Sequence, residues 1–138
     1  MTKVALRTEI GVAPDKVWEL IGGFNTLPDW HPAVEKSELV KEGTMRRLSL
    51  AGGGTIIEKL EKKDDKERVY SYSIIDSPLP VANYKASIRV LDAGSGKATV
   101  EWSSEFTADG APESDAMDII TGIYQAGFDN LKKMFGGK

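Results

Sequence analysis

Apolar and polar residues alternate from the start of the chain. Val4, Leu6, Thr8 and Ile10 share one face of an extended segment, which predicts a first strand. Pro14-Asp15 then opens a stretch in which Val17, Trp18, Leu20 and Ile21 recur at helical spacing, and Gly22-Gly23 closes it. The segment 24–32 (FNTLPDWHP) is apolar but carries two prolines, so it supports at most one further helical turn. From Val34 onward the period is two. Strands are predicted over 33–41, 44–51, 54–62, 68–76, 82–91 and 97–107, with turn signals at Gly43, Gly52-Gly53-Gly54, Asp64-Asp65, Ser77 to Pro80 and Gly94-Ser95-Gly96. The period changes once more near the end. Met117, Ile120, Tyr124, Phe128, Leu131 and Phe135 form one apolar stripe, which predicts a helix of roughly 22 residues and about 33 Å. Such a stripe must be covered, so a seven-stranded antiparallel sheet wrapping the long helix is expected: an α+β fold with two short helices after the first strand.

Composition narrows the class. The chain has 138 residues, 41% of them hydrophobic and 28% charged, which fits a single domain over 1–138. A net charge of −3 offers no general attraction to nucleic acid. The absence of cysteine removes disulfides, thiolate catalysis and zinc-thiolate sites. With one histidine, a His-rich metal site is excluded, and neither a metal nor a cofactor is expected. No stretch approaches the roughly 20 apolar residues of a membrane span and the N-terminus lacks a signal-peptide pattern, so a cytoplasmic location without integral membrane contact is expected. The Gly94-Ser95-Gly96-Lys97 run fails as a phosphate loop, because Leu91 and Ala98 stand where that motif requires Gly and Ser or Thr.

Strand arithmetic supplies the candidate chemistry. A symmetric hairpin centred on the three glycines sets Leu48 opposite Ile56 and Arg46 opposite Glu58, all on the apolar face. Arg46 and Glu58 are therefore expected to point inward as a pair. Centring the next turn on Asp65 places Tyr72 opposite Glu58, and further turns bring Tyr84 near Tyr72 and set it against Phe106, with Ile88 against Trp102. A buried ion pair can be purely structural, or it can be the polar spot of a ligand cavity. The neighbouring tyrosines favour the cavity, since buried hydroxyls need partners. Trp18, Trp30 and Trp102 read first as core or lid packing. His31 reads as a loop histidine with an ordinary backbone bond, because no acid can be placed beside it.

These residues resemble the SRPBCC superfamily of START and birch-pollen-allergen-like helix-grip domains, specifically the bacterial polyketide cyclase/dehydrase and lipid-transport-like group. The resemblance rests on Ala13-Pro14 with Val17-Trp18, Phe24, Trp30-His31-Pro32, and Arg46 with Leu48 and Leu50. It continues through Glu58 with Leu60, Leu79-Pro80 with Tyr84, Trp102 with Phe106, and Tyr124 to Phe128. It implies a helix-grip fold with a deep, largely apolar cavity between sheet and long helix, and it carries over Arg46, Glu58, Tyr72, Tyr84, Trp102 and Tyr124 as cavity-facing; Trp30 joins them as a candidate wall. The expected function is binding or transport of a small hydrophobic ligand with one polar end, of lipid, polyketide or aromatic type. The alternative is a cyclase or dehydratase in which Glu58, ionised beside Arg46, is the candidate proton-transfer group. A protein-interaction module is the third reading, and a homodimer is left open.

Overall fold

The computed structural model describes residues 2–135. Strand β1 (Thr2–Ile10) leads into α1 (Pro14–Ile21) and α2 (Leu27–Trp30); β2 (Val34–Val40), β3 (Met45–Leu50), β4 (Thr55–Asp64), β5 (Val69–Asp76), β6 (Val81–Gly94) and β7 (Lys97–Ala108) follow, and α3 (Glu113–Met134) closes the chain. The strands form one antiparallel sheet in the order β1-β7-β6-β5-β4-β3-β2. The first strand thus pairs with the last, and the curved sheet grips α3 as expected of a helix-grip fold.

Local sequence explains the elements that position the interior. Pro14 sits in the first turn of α1, where its missing N–H is not needed, and Val17 and Ile21 are buried beneath it. In α3 the buried residues Ala116, Ile120, Tyr124, Gly127, Phe128 and Leu131 run down one face, with Glu113 and Asp115 at the positive end of the helix dipole and Lys132 and Lys133 at the negative end. Met117, expected within that stripe, lies beside it at 37% exposure; Ala116 takes the buried position. The β3–β4 turn needs its glycines. Gly52, Gly53 and Gly54 have φ of +88°, +103° and +102°, a region that side chains with a Cβ rarely adopt.

The predicted registers hold in two hairpins and fail in one. Arg46 pairs with Glu58 and Leu48 with Ile56, as the glycine-centred count requires. Ile88 pairs with Trp102, and the Tyr84 and Phe106 rings stack at 6.1 Å. Glu58, however, faces Ile74, and Tyr72 faces Leu60. The turn is Asp65 to Arg68, so Asp64 pairs with Val69 and the symmetric count about Asp65 is already displaced by three; Glu61, an extra residue between Leu60 and Lys62, takes one back and leaves a displacement of two at Glu58.

Candidate functional site

A cavity of about 160 Å³ lies between the inner face of the sheet and α3. Its walls are apolar, from Leu27, Leu48, Ile56, Ile74, Ile120 and Ile123 among others, and its polar members are Glu58, Tyr72, Tyr84, Trp102, Tyr124 and His31. Ala51 is the exposed residue of the lining, so the cavity opens at the β3–β4 turn, beside Leu50, Leu79 and Ile123. A larger depression of about 500 Å³ lies on the other side of the sheet, open to solvent and floored by Ser71, Ser87 and Ser103. It gathers none of the buried charge, so the interior cavity is the candidate site.

Five of the seven expected cavity residues line it: Glu58, Tyr72, Tyr84, Trp102 and Tyr124. Arg46 and Trp30 do not. Arg46, 1% exposed, stands behind Glu58: its Nε and Nη2 reach Oε1 at 2.8 and 2.6 Å, and its Nη1 donates to the Phe24 carbonyl at 2.7 Å. The guanidinium lies 4.3 Å from the centre of the Phe24 ring. Burial alone would lower its pKa, but Tyr70, Glu58 and Tyr72 together raise it, so Arg46 remains a cation. Burial lifts the Glu58 carboxyl above the usual carboxylate range while Arg46 pulls it back. The charged pair is the state the geometry supports, since a protonated Glu58 would leave a buried guanidinium without counter-charge.

Next to this pair the tyrosine hydroxyls form a chain. Trp102 Nε1 donates to Tyr72 Oη at 3.0 Å, Tyr72 and Tyr84 hydroxyls meet at 3.4 Å, and Tyr84 bonds Tyr124 in turn. Tyr124 stacks on Trp102 at 4.2 Å, which holds both rings in the wall. Burial, reinforced by the neighbouring hydroxyls, pushes Tyr72 and Tyr84 well above the ordinary phenol value, and burial raises Tyr124 as well. All three are therefore neutral donors and acceptors, not bases.

Sequence reasoning missed Tyr70 and understated the segment 24–32. Tyr70 is buried against Phe24, with its hydroxyl 3.5 Å from Arg46 Nη1; extending the alternation two residues back from Tyr72 would have found it. The segment is fastened at three points: Arg46 to the Phe24 carbonyl, Asn130 Nδ2 to the Trp30 carbonyl at 2.8 Å, and His31 Nε2 to the Ile123 carbonyl at 2.7 Å. Trp30 is core, 5.5 Å from Trp102 between ring centres.

His31 is the ordinary backbone-bonded histidine expected, although it is fully buried rather than in an open loop. Its Nδ1 accepts from the Ala33 N–H at 3.1 Å, which fixes the neutral tautomer with the proton on Nε2. Burial lowers its pKa, opposed by the Ile123 carbonyl. The unfolded chain then takes up its proton near pH 6.5 while the folded chain does not, so this contribution to stability is complete above about 6.5 and declines as pH falls towards the folded pKa. A His31→Gln variant should be less stable than the native protein at pH 8, and the gap should narrow by pH 5 in urea titrations. A gap independent of pH would rule out the buried neutral imidazole.

The comparisons with known proteins agree with this geometry. Residues 1–136 match the family described as polyketide cyclase / dehydrase and lipid transport, and the chain belongs to that family. Its structure is similar to protein XoxI from Bacillus cereus, at 43% identity and a TM-score of 0.96, over 98% of this chain and 96% of that one. A START superfamily protein from Mycobacterium smegmatis (10% identity, TM-score 0.81, 96% of each chain) and the Zhui aromatase/cyclase from Streptomyces sp. R1128 (18%, 0.77, 99% and 92%) share the fold. No curated protein matches the sequence. No helix among the described residues is long and apolar enough to cross a membrane.

Proposed function

We propose that this protein binds and carries a small hydrophobic molecule with a polar end, held in the cavity between the sheet and α3. The observation that carries the reading is an apolar chamber of about 160 Å³ with Glu58 and three tyrosine hydroxyls in its wall. An apolar cavity of roughly 150 Å³ is enough to take up benzene, so the ligand that fits is one substituted ring rather than an extended acyl chain or a fused polycycle. Of the lipid, polyketide and aromatic types, the volume favours the aromatic. Affinity would come from apolar burial at roughly 25 cal/mol per Å², reduced by the cost of ordering the ligand.

The test is occupancy with and without the chamber. Ile123 is half-buried in the lining near the opening, so Ile123→Trp should fill the entrance from the helix side without disturbing the polar cluster. Native mass spectrometry and calorimetric titration with single-ring aromatics should show one-to-one binding by the native protein and none by Ile123→Trp at equal thermal stability. Equal binding by both would sink the cavity reading.

A cyclase or dehydratase acting in the same chamber is the second reading, favoured by one observation: an ionisable carboxylate shares the wall with neutral phenols. Their raised pKa values suit the tyrosines to polarise a carbonyl by donation, which leaves Glu58 as the group able to accept a proton. If turnover exists, Glu58→Gln should abolish it while ligand still binds; retained turnover would exclude Glu58.

A further inference from the structure

We propose that the ligand is a neutral single-ring aromatic that carries both a hydrogen-bond acceptor, for the tyrosine chain, and a hydrogen-bond donor, for Glu58; a hydroxylated aryl ketone or aldehyde is the simplest such molecule. This rests on the cavity being a ligand site and adds the chemistry that site selects.

The polar atoms of the wall can be counted. Three tyrosine hydroxyls hold three protons, and the two bonds that join them use two. One O–H is left over. Trp102 favours one direction: its indole N–H can only donate, so Tyr72 accepts from it and is polarised to pass its own proton to Tyr84, and Tyr84 to Tyr124. The Ser104 hydroxyl, buried and without another partner, acts on Tyr124 as a donor, so the spare proton is that of the Tyr124 hydroxyl, which lines the cavity. On the opposite count, both guanidinium contacts of Glu58 fall on Oε1, and among the described residues Oε2 has no hydrogen-bond partner. Glu58 also lines the cavity, so the site offers one acceptor as well as one donor.

Charge excludes the other small aromatics. An anionic ligand would need a cation with free donors, but Arg46 stands behind Glu58 and its guanidinium is already directed at Glu58, the Phe24 carbonyl and Tyr70. A cationic ligand would meet a carboxylate already neutralised by Arg46, and would enter a low-dielectric chamber carrying an unmatched charge. Only a neutral molecule is complementary to this wall.

The experiment titrates the native protein calorimetrically with 4-hydroxyacetophenone, acetophenone, 4-ethylphenol, ethylbenzene, 4-hydroxybenzoate and palmitate. 4-Hydroxyacetophenone should bind tightest, acetophenone and 4-ethylphenol each about tenfold more weakly, and ethylbenzene weaker again. 4-Hydroxybenzoate and palmitate should not bind. In Tyr124→Phe, which removes one oxygen and keeps the ring stacked on Trp102, the spare proton retreats to the Tyr84 hydroxyl, so the advantage of acetophenone over ethylbenzene should shrink while that of 4-ethylphenol persists. Ethylbenzene binding as tightly as 4-hydroxyacetophenone would overturn the polar pairing and leave the carrier reading intact, as would a preference for palmitate or for 4-hydroxybenzoate. Failure of every compound to bind would overturn both.

Discussion

Arg46→Met should lower folding stability by about 3–5 kcal/mol, the range typical of removing one partner from a buried ion pair. The loss has two sources. Glu58, 5% exposed, would keep its charge without a counter-ion or take up a proton, and the Phe24 carbonyl would lose its donor. With a typical domain stable by only about 5–15 kcal/mol, the variant would be close to unfolding. The pH dependence distinguishes this mechanism from a packing defect. Without Arg46, nothing opposes the burial that already raises the Glu58 pKa. A raised folded pKa means stability is fully present below the unfolded value near 4.3 and is lost as pH rises through the folded one, so the deficit should be smaller at pH 5 than at pH 8. Glu58→Leu should be about as damaging but insensitive to pH, because a guanidinium cannot shed its proton in this range. The double variant Arg46→Met, Glu58→Leu should recover most of the loss, since apolar replacements of buried pairs are often neutral or stabilising. Urea titrations of the four proteins at both pH values complete the cycle; single losses below about 1 kcal/mol would mean that the pair is hydrated.

The ion pair was legible because three consecutive glycines fix the centre of a hairpin, and alternation then dictates which residues face each other and which face inward. The same arithmetic failed one hairpin later. Nothing in the run Asp64-Asp65-Lys66-Glu67-Arg68 marks which residues form the turn: it is centred between Lys66 and Glu67 and not on Asp65, and the bulge at Glu61, equally unmarked among side chains at home on a wet surface, takes back one residue of that displacement. The tyrosines survived this error. Tyr72 and Tyr84 keep their inward face even though their partners shift, so the cluster forms through side-chain reach: Tyr72 sits opposite Ala86, and its hydroxyl still meets that of Tyr84. The volume of the chamber was beyond the sequence, because it is the residue left over after all the surrounding side chains pack. The fastening of the segment 24–32 was hidden for a related reason: its anchors on Arg46, Ile123 and Asn130 are distant in sequence, and two are backbone or amide groups that carry no pattern.

Two glycines in α3 make the dependence on packing measurable. By helix propensity alone, replacing either by alanine should stabilise the protein by about 1 kcal/mol. At Gly122, an exposed position where a Cβ would meet nothing within 4 Å, that gain should appear in full. Gly127 differs. A Cβ there would stand 2.9 Å from His31 Cδ2, 2.9 Å from Trp30 Cζ3 and 3.3 Å from Trp102 Cζ3. None of these is the free end of a flexible chain. Trp30 packs on Trp102, and His31 is bound at both ring nitrogens, so a ring that moves aside must break a hydrogen bond at His31, displace Trp102 in the cavity wall, or disturb the packing of the buried Trp30. Overpacking of this kind costs about 1–3 kcal/mol, which exceeds the propensity gain. Gly122→Ala and Gly127→Ala should therefore shift the melting temperature in opposite directions, separated by about 1–3 kcal/mol, and only Gly127→Ala should weaken aromatic binding, because Trp102 and His31 line the chamber. Equal stabilisation by both would show that the rings yield freely, and that the contact between α3 and the segment 24–32 does not set the shape of the site.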